Sequence, residues 1–225
     1  VFFTNQKKSR PYIILKSAQS LDGKIALKNG ESNWISNPQS RKNSHHIRST
    51  VKGILVGRNT AEQDNPSLTV RLTNNELGLG KGEIIQQPVK IILGNLKRSK
   101  KVSNIFTGNS KVIVGSSQSS KKSKNVEYLK YKKKNFLKEF LQDLLDRNIS
   151  SILVEGGQKT LNAFLVNNLF DELVLYTAPM FLGKESKDGI SIIAPEKIKA
   201  SVKLKMKGVE KFKDDIKTTY YNKDI

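Results

Sequence analysis

The sequence predicts an α/β fold: a mainly parallel central sheet flanked by helices and closed by antiparallel strands toward the C-terminal end. Three observations predict it. Short, dense apolar runs recur at 12–15, 53–56, 90–93 and 152–154, which is how strands buried in a parallel sheet read. Between such runs lie segments with helical spacing, the clearest at 136–147, where Phe136, Leu137, Phe140, Leu141, Leu144 and Leu145 share a face. After Pro179 the helical patterns fade, and 202–206 and 216–221 read as closing strands.

Taken in order, residues 11–18 are rich in Ile and Leu with little alternation and read as a strand buried on both faces. The turn Ser20-Leu21-Asp22-Gly23 leads to a short strand at 24–27. Ser36 or Asn37 can cap a helix that has Pro38 in its first turn and runs to about Ser49. Residues 52–57 are another buried-type strand, ending on a glycine. Asp64-Asn65-Pro66-Ser67 is a turn signal, and 68–72 resumes extended structure. Residues 74–87, with Gly78, Gly80 and Gly82, read as a loop. Strands at 89–93 and 111–114 follow, then a Ser/Lys linker at 116–124 and a short strand at 125–130. Beyond the helix at 136–147 come a strand at 151–154, Glu155-Gly156-Gly157, a helix burying Leu161, Phe164 and Leu165, and a strand at 172–178 stopped by Pro179. No composition break or internal repeat interrupts the chain, so residues 1–225 read as one domain.

Composition narrows the function. Lys+Arg of 40 against Asp+Glu of 20 leaves a net charge of +20, the footprint of a nucleic-acid binder. Only Arg10, Arg41, Arg48, Arg58, Arg71, Arg98 and Arg147 supply arginine, however, and arginine is the residue suited to bidentate phosphate and base contacts. The lysine clusters flank apolar segments rather than forming a stripe with aromatics, so the charge reads as solvated surface and no nucleic-acid partner is expected. The absence of cysteine excludes disulfides, thiolate metal sites and cysteine nucleophiles. His45 and His46 share no helical face and lack further ligands, so no metal is expected and a surface or partly packed role is. No run nears the roughly 20 apolar residues of a membrane span. A cytoplasmic location with no membrane partner follows as the expectation.

In an open α/β sheet, ligands sit beyond the carboxyl ends of the strands. Three segments place unusual residues there. Val154-Glu155-Gly156-Gly157 combines a carboxylate at a strand end with paired glycines before a helix start; Glu155 is a site residue or a capping acid. Gly57-Arg58-Asn59-Thr60, with Asp64 beyond, is a ligand loop or a helix capped by Asn59 or Thr60. Lys16, inside an apolar strand, meets an anion or snorkels from an edge. These pieces suit a phosphate-bearing or dinucleotide ligand and name no reaction.

Read together, the segments resemble the pyrimidine reductase domain of riboflavin biosynthesis, usually the C-terminal half of a bifunctional deaminase/reductase. The likeness is colinear over about 2–183. It rests on Arg10-Pro11-Tyr12, Leu15-Lys16, Ser20-Leu21-Asp22-Gly23-Lys24-Ile25-Ala26 and Gly30-Glu31-Ser32-Asn33-Trp34-Ile35-Ser36. It continues through Arg41, Arg48, Asp64-Asn65-Pro66, Leu68-Thr69-Val70-Arg71, Gln87-Pro88, Glu155-Gly156-Gly157, Asp171-Glu172 and Ala178-Pro179.

The resemblance implies a dihydrofolate-reductase-like fold and NADPH-dependent reduction of 5-amino-6-(5-phosphoribosylamino)uracil to its ribitylamino product, with hydride delivered to C1′ of the ribose. It implies cofactor contacts at Ala18, Trp34, Thr60, Asp64, Asn95 and the run Gly157, Gln158, Lys159, Thr160, Leu161, Asn162 and Ala163. It implies substrate contacts at Ser32, Arg48, Leu68, Arg71 and Glu155; Lys16, which would face the open sugar and stabilise an oxygen or relay a proton, is expected beside Glu155 as the catalytic pair. Gly94 stands where aspartate is frequent, which makes Lys97 and Arg98 candidates for the cofactor's 2′-phosphate. Reduction of the 2,5-diamino pyrimidinone before deamination is the neighbouring alternative, and a nucleic-acid module the distant one. A homodimer is expected. The opening residues resemble an interdomain junction, with 1–9 as linker, so a zinc deaminase domain is expected to precede Val1; this chain has none of the cysteines such a domain needs.

Overall fold

A computed structural model describes residues 1–96, 104–117, 122–123, 125–131 and 136–223. In chain order these form α1 (Phe2–Lys8), β1 (Tyr12–Ser20), β2 (Lys24–Ala26), α2 (Pro38–Ser49), β3 (Gly53–Gly57), α3 (Arg58–Asp64), β4 (Val89–Leu93), β5 (Val112–Ser116), β6 (Lys122–Ser123) and β7 (Val126–Lys130). They continue with α4 (Phe136–Asp146), β8 (Ser151–Val154), α5 (Gln158–Val166), β9 (Glu172–Ala178), β10 (Lys187–Asp188), β11 (Leu204–Phe212) and β12 (Asp215–Asn222). The class is the one expected, α/β with mainly parallel pairing and antiparallel strands toward the C-terminus. The chain folds as two compact units, one of residues 1–12 and 42–154, the other of 13–41 and 155–225.

In the first unit β8, β3, β4, β5 and β7 pair in parallel, with β6 antiparallel to β7. Every residue of β3, β5 and β8 is buried, which is why these segments read as unbroken apolar runs. The helical stripe of α4 turns Phe140, Leu141 and Leu144 inward, all at 0% exposure. Gly115 permits this: a Cβ there would lie 2.6 Å from the Phe140 ring. α2 enters this unit at Lys42; its start lies in the second unit, where Asn37 caps it, Oδ1 accepting from the amides of Gln39 and Ser40 at 2.9 and 3.1 Å.

In the second unit β1 runs parallel to β9, β12 is antiparallel to β9, and β11 is antiparallel to β12. Ile13, Leu15, Phe164, Phe170, Leu173, Val174 and Tyr176 form its core. A short β2–β10 ladder carries the Lys24–Asp188 ion pair at 2.5 Å.

Three expectations need correction. β1 is not buried on both faces: Ile13, Leu15 and Ser17 are buried while Ile14, Lys16 and Ala18 are half-buried. Residues 68–72 form no strand. Leu68 has φ +50, outside the extended region, and the amide and carbonyl of Val70 bond the Gln87 side chain at 2.8 and 3.3 Å instead of a neighbouring strand. The helix after β3 is capped by Gly57 with no side-chain hydrogen bond, not by Asn59 or Thr60. Residues 2–8, within the expected linker, form the helix α1, which leaves that expectation open.

Candidate active site

The first unit holds the candidate residues Arg48, Thr60, Asp64, Leu68, Arg71 and Asn95. Gly57, Leu93 and Gly115 sit level at the carboxyl ends of β3, β4 and β5, and the chain leaving these ends supplies Thr60, Asp64 and Asn95. Thr60 and Asp64 lie four residues apart on α3, hence on one side of it. Asn65 follows in the left-handed region and is held by Asn104, whose amide donates to Asn65 Oδ1 at 2.9 Å and whose Nδ2 donates to the Asn65 carbonyl at 3.0 Å. Asn95 is clasped to Ser117 beyond β5, with Nδ2 donating to Oγ at 3.0 Å and the Ser117 amide donating to Oδ1 at 2.9 Å.

Residues 68–71 are brought against α2. Arg48 Nη1 donates to the Thr69 carbonyl at 3.0 Å. One turn earlier, His45 accepts the Arg71 amide at Nδ1, 3.1 Å away, and its Nε2 lies 3.3 Å from Arg71 Nη2. The Leu68 side chain is buried and Arg71 is exposed. Arg48 from α2 thus meets the stretch that carries Leu68 and Arg71, and guanidinium groups are the donors suited to a phosphate monoester. His45, expected to be a surface or partly packed residue, is buried and lies between α2 and Arg71. Lys97 and Arg98 lie outside the described residues.

The second unit holds Lys16, Ala18, Ser32, Trp34, Glu155 and the start of α5. Lys16 faces Val174 and Ala18 faces Tyr176 across the β1–β9 ladder. The Lys16 ammonium lies 5.5 Å from the centroid of the Tyr176 ring, an electrostatic contact that the half-buried face of β1 permits without stranding the charge in the core. Burial raises the Tyr176 hydroxyl pKa, and the carboxylates of Glu210 and Glu155 raise it further. Tyr176 therefore stays protonated beside Lys16, a neighbour that no spacing in the sequence announces.

Ser32 and Trp34 are exposed, and the Arg41 guanidinium stacks 4.3 Å from the Trp34 ring centroid. Glu155 and Gly156 connect β8 to α5, which opens on Gly157 with no side-chain cap hydrogen bond and no acidic residue in its first turn. Gly156 is required sterically, since a Cβ there would meet Thr160 Cβ at 2.5 Å. Thr160 and Leu161 turn their side chains into the core, and their amides return to the Gly157 carbonyl at 3.0 and 3.2 Å. Asn162 holds Ser191 through Nδ2 to the carbonyl at 2.5 Å and through Oδ1 from the amide at 3.1 Å. The Gln158 and Lys159 amides, which have no intrahelical acceptor, and the exposed Lys159 side chain are what this helix offers an anion.

Among the described residues no group of three or more His, Cys, Asp or Glu is placed to hold a metal ion, and no helix is long and apolar enough to cross a membrane.

Known proteins are similar to this chain in sequence and in fold. A protein from Aquifex aeolicus, the riboflavin biosynthesis protein RibD, is 38% identical over 96% of this chain and 59% of its own length. The chain thus spans about three fifths of that relative. A protein from Buchnera aphidicola of Acyrthosiphon pisum, named 5-amino-6-(5-phosphoribosylamino)uracil reductase, is 31% identical over 88% of this chain and 100% of its own length. The Thermotoga maritima deaminase/reductase structure superposes with a TM-score of 0.82 at 31% identity, covering 98% of this chain and 59% of the other. The family described as the RibD C-terminal domain matches residues 11–218, and the chain belongs to that family.

Proposed function

We propose that this chain reduces 5-amino-6-(5-phosphoribosylamino)uracil to 5-amino-6-(5-phosphoribitylamino)uracil with NADPH. The observation that carries the reading is the Buchnera reductase, matched along its whole length by this chain alone. In the overall reaction the ribose C1′–O4′ bond breaks, C1′ gains a hydride and O4′ ends with a proton.

The start of α5 fits an anionic cofactor: it is uncapped, free of carboxylates in its first turn and preceded by a glycine pair that keeps the backbone open to approach. Gln158 and Lys159 would hold the cofactor's phosphates there, with Ala18, Trp34, Thr60, Asp64, Asn95, Gly157 and the remainder of 160–163 as further contacts; when bound, the nicotinamide supplies the hydride.

The chain's own groups do the rest. Arg48 and Arg71 bind the substrate phosphate, fixing the sugar from its far end, and Leu68 packs beside them. Ser32 donates to the substrate, and Glu155 accepts from sugar hydroxyls or ring amino groups. Lys16, held over Tyr176, carries the proton that the opened sugar oxygen requires. The single reductase domain acts as a homodimer in the cytoplasm, and in the full-length protein a zinc deaminase domain supplies its substrate.

Spectrophotometry of NADPH tests the reading directly. Purified chain should consume NADPH with the phosphoribosylaminouracil, far faster than with the 2,5-diamino pyrimidinone and far faster than it consumes NADH. No consumption with either pyrimidine would sink the reductase assignment; preference for the diamino compound would move the step ahead of deamination.

A further inference from the structure

We propose that His45 is the positioning residue for Arg71: as a neutral imidazole with its proton on Nε2, it fixes the Arg71 backbone and through it the guanidinium. The inference rests on the reading of Arg71 as a substrate-phosphate ligand. The Arg71 amide donates to His45 Nδ1 at 3.1 Å, so Nδ1 presents a lone pair, and a neutral ring with Nδ1 as acceptor carries its hydrogen on Nε2. The direction of the amide hydrogen is set by the peptide plane; a guanidinium only donates, so with the ring hydrogen on Nε2 the 3.3 Å approach of Arg71 Nη2 to that nitrogen is a packing contact and not a hydrogen bond, and His45 holds Arg71 through the backbone alone.

This contact counts because of what residues 68–71 lack. They form no strand, and Leu68 at φ +50 turns the chain out of extended geometry. Side chains hold three consecutive residues in place of a ladder: Arg48 on the Thr69 carbonyl, Gln87 on both main-chain groups of Val70, and His45 on the Arg71 amide. Arg48 and His45 stand three residues apart on α2, so one helix face sets the position of the stretch that presents Arg71. Without His45, Arg71 keeps its charge and loses the clasp on its own backbone. A guanidinium placed with less order binds its anion with a higher entropic cost and a higher KM.

The test uses three substitutions at one position, read against Arg71. Asn carries an acceptor at the Nδ1 place, Gln carries one at the Nε2 place, and Ala carries neither. His45→Ala should raise the KM for the phosphorylated pyrimidine about fivefold to tenfold, the size expected for one lost hydrogen bond, with kcat and the KM for NADPH held within about twofold. His45→Asn should restore most of the loss and His45→Gln should not. His45→Ala combined with Arg71→Ala should be no worse than Arg71→Ala alone. An unchanged KM in His45→Ala, full additivity with Arg71→Ala, or equal rescue by Asn and Gln would overturn the proposal.

A second measurement does not depend on turnover. Nitrogen-15 shifts of the His45 ring should show Nδ1 unprotonated, and the Arg71 amide should exchange faster in His45→Gln than in the parent and in His45→Asn. A protonated Nδ1, or unchanged exchange, overturns the proposal even if His45→Ala does not fold. If the parent chain consumes no NADPH, the reductase reading fails by itself, and the exchange data still decide whether His45 positions Arg71.

Discussion

Among the described residues Lys90 is the most deeply buried cation, 1% exposed on β4, with Nζ donating to the carbonyls of Ile105 and Thr107 at 2.9 and 3.0 Å. Neither motif nor resemblance singled it out, because a lysine in the run 89–93 reads like any interruption of a strand. Lys90→Met keeps the aliphatic stem and orphans both carbonyls, so a loss of about 1–3 kcal/mol is expected in urea unfolding. Burial lowers the Lys90 pKa, so the unfolded chain binds its proton more firmly. Its contribution to stability therefore rises as pH climbs toward the ordinary lysine value of 10.5. Lys90→Met should flatten that alkaline rise, and an unchanged slope would refute the assignment. At the proposed site, Arg71→Ala should raise the substrate KM about tenfold to a hundredfold, the range for a charge-assisted contact. Glu155→Gln should depress kcat far more than NADPH binding, and steady-state kinetics with each ligand varied separates the two.

The connection from β8 to α5 shows what one residue decides for an element. Gly156→Ala would drive a methyl to 2.5 Å from Thr160 Cβ and 2.8 Å from its Cγ2, and Thr160 is itself buried and unable to withdraw. The expected cost is about 1–3 kcal/mol, seen as a lowered melting temperature. Wild-type stability in that variant would mean the connection relaxes freely. The pair of glycines after a strand was legible in the sequence, as were the parallel strands, because full burial demands continuous apolar residues. Other elements were not. α3 buries only Ala61, too little for a helical stripe, and α1 buries only Thr4. The path of 68–72 escaped because Val-x-Leu alternation looks extended, whereas the Gln87 side chain, 17 residues on, is what pairs Val70. The His45–Arg71 clasp spans 26 residues and leaves no local pattern.

For the whole molecule, a net charge of +20 acts chiefly through self-repulsion. Added sodium chloride should raise the melting temperature, by about 2–4 °C for each 1 kcal/mol of repulsion screened. A melting temperature that falls with salt would show attractive pairs dominating instead. Local pairs do exist, as where Lys111 and Arg147 flank Glu127 at 2.8 and 3.2 Å, and they lower the Glu127 pKa, with the Lys111 hydrogen bond as the largest cause. What composition could not tell was where the unbalanced charge sits. Among the described residues β11 lies at the margin of its sheet, paired through β12 alone, with Met206 and Val209 exposed and its register broken between Met206 and Gly208. Lys205, Lys207 and Lys211 stand along it. An open strand with apolar side chains is a template for unwanted polymerisation, and lysines and an irregularity are two of the means by which natural sheets refuse a strand from another molecule. The basic excess, uninformative about chemistry, thus acts as insulation: it lets an unfinished sheet border remain in water without recruiting its neighbours.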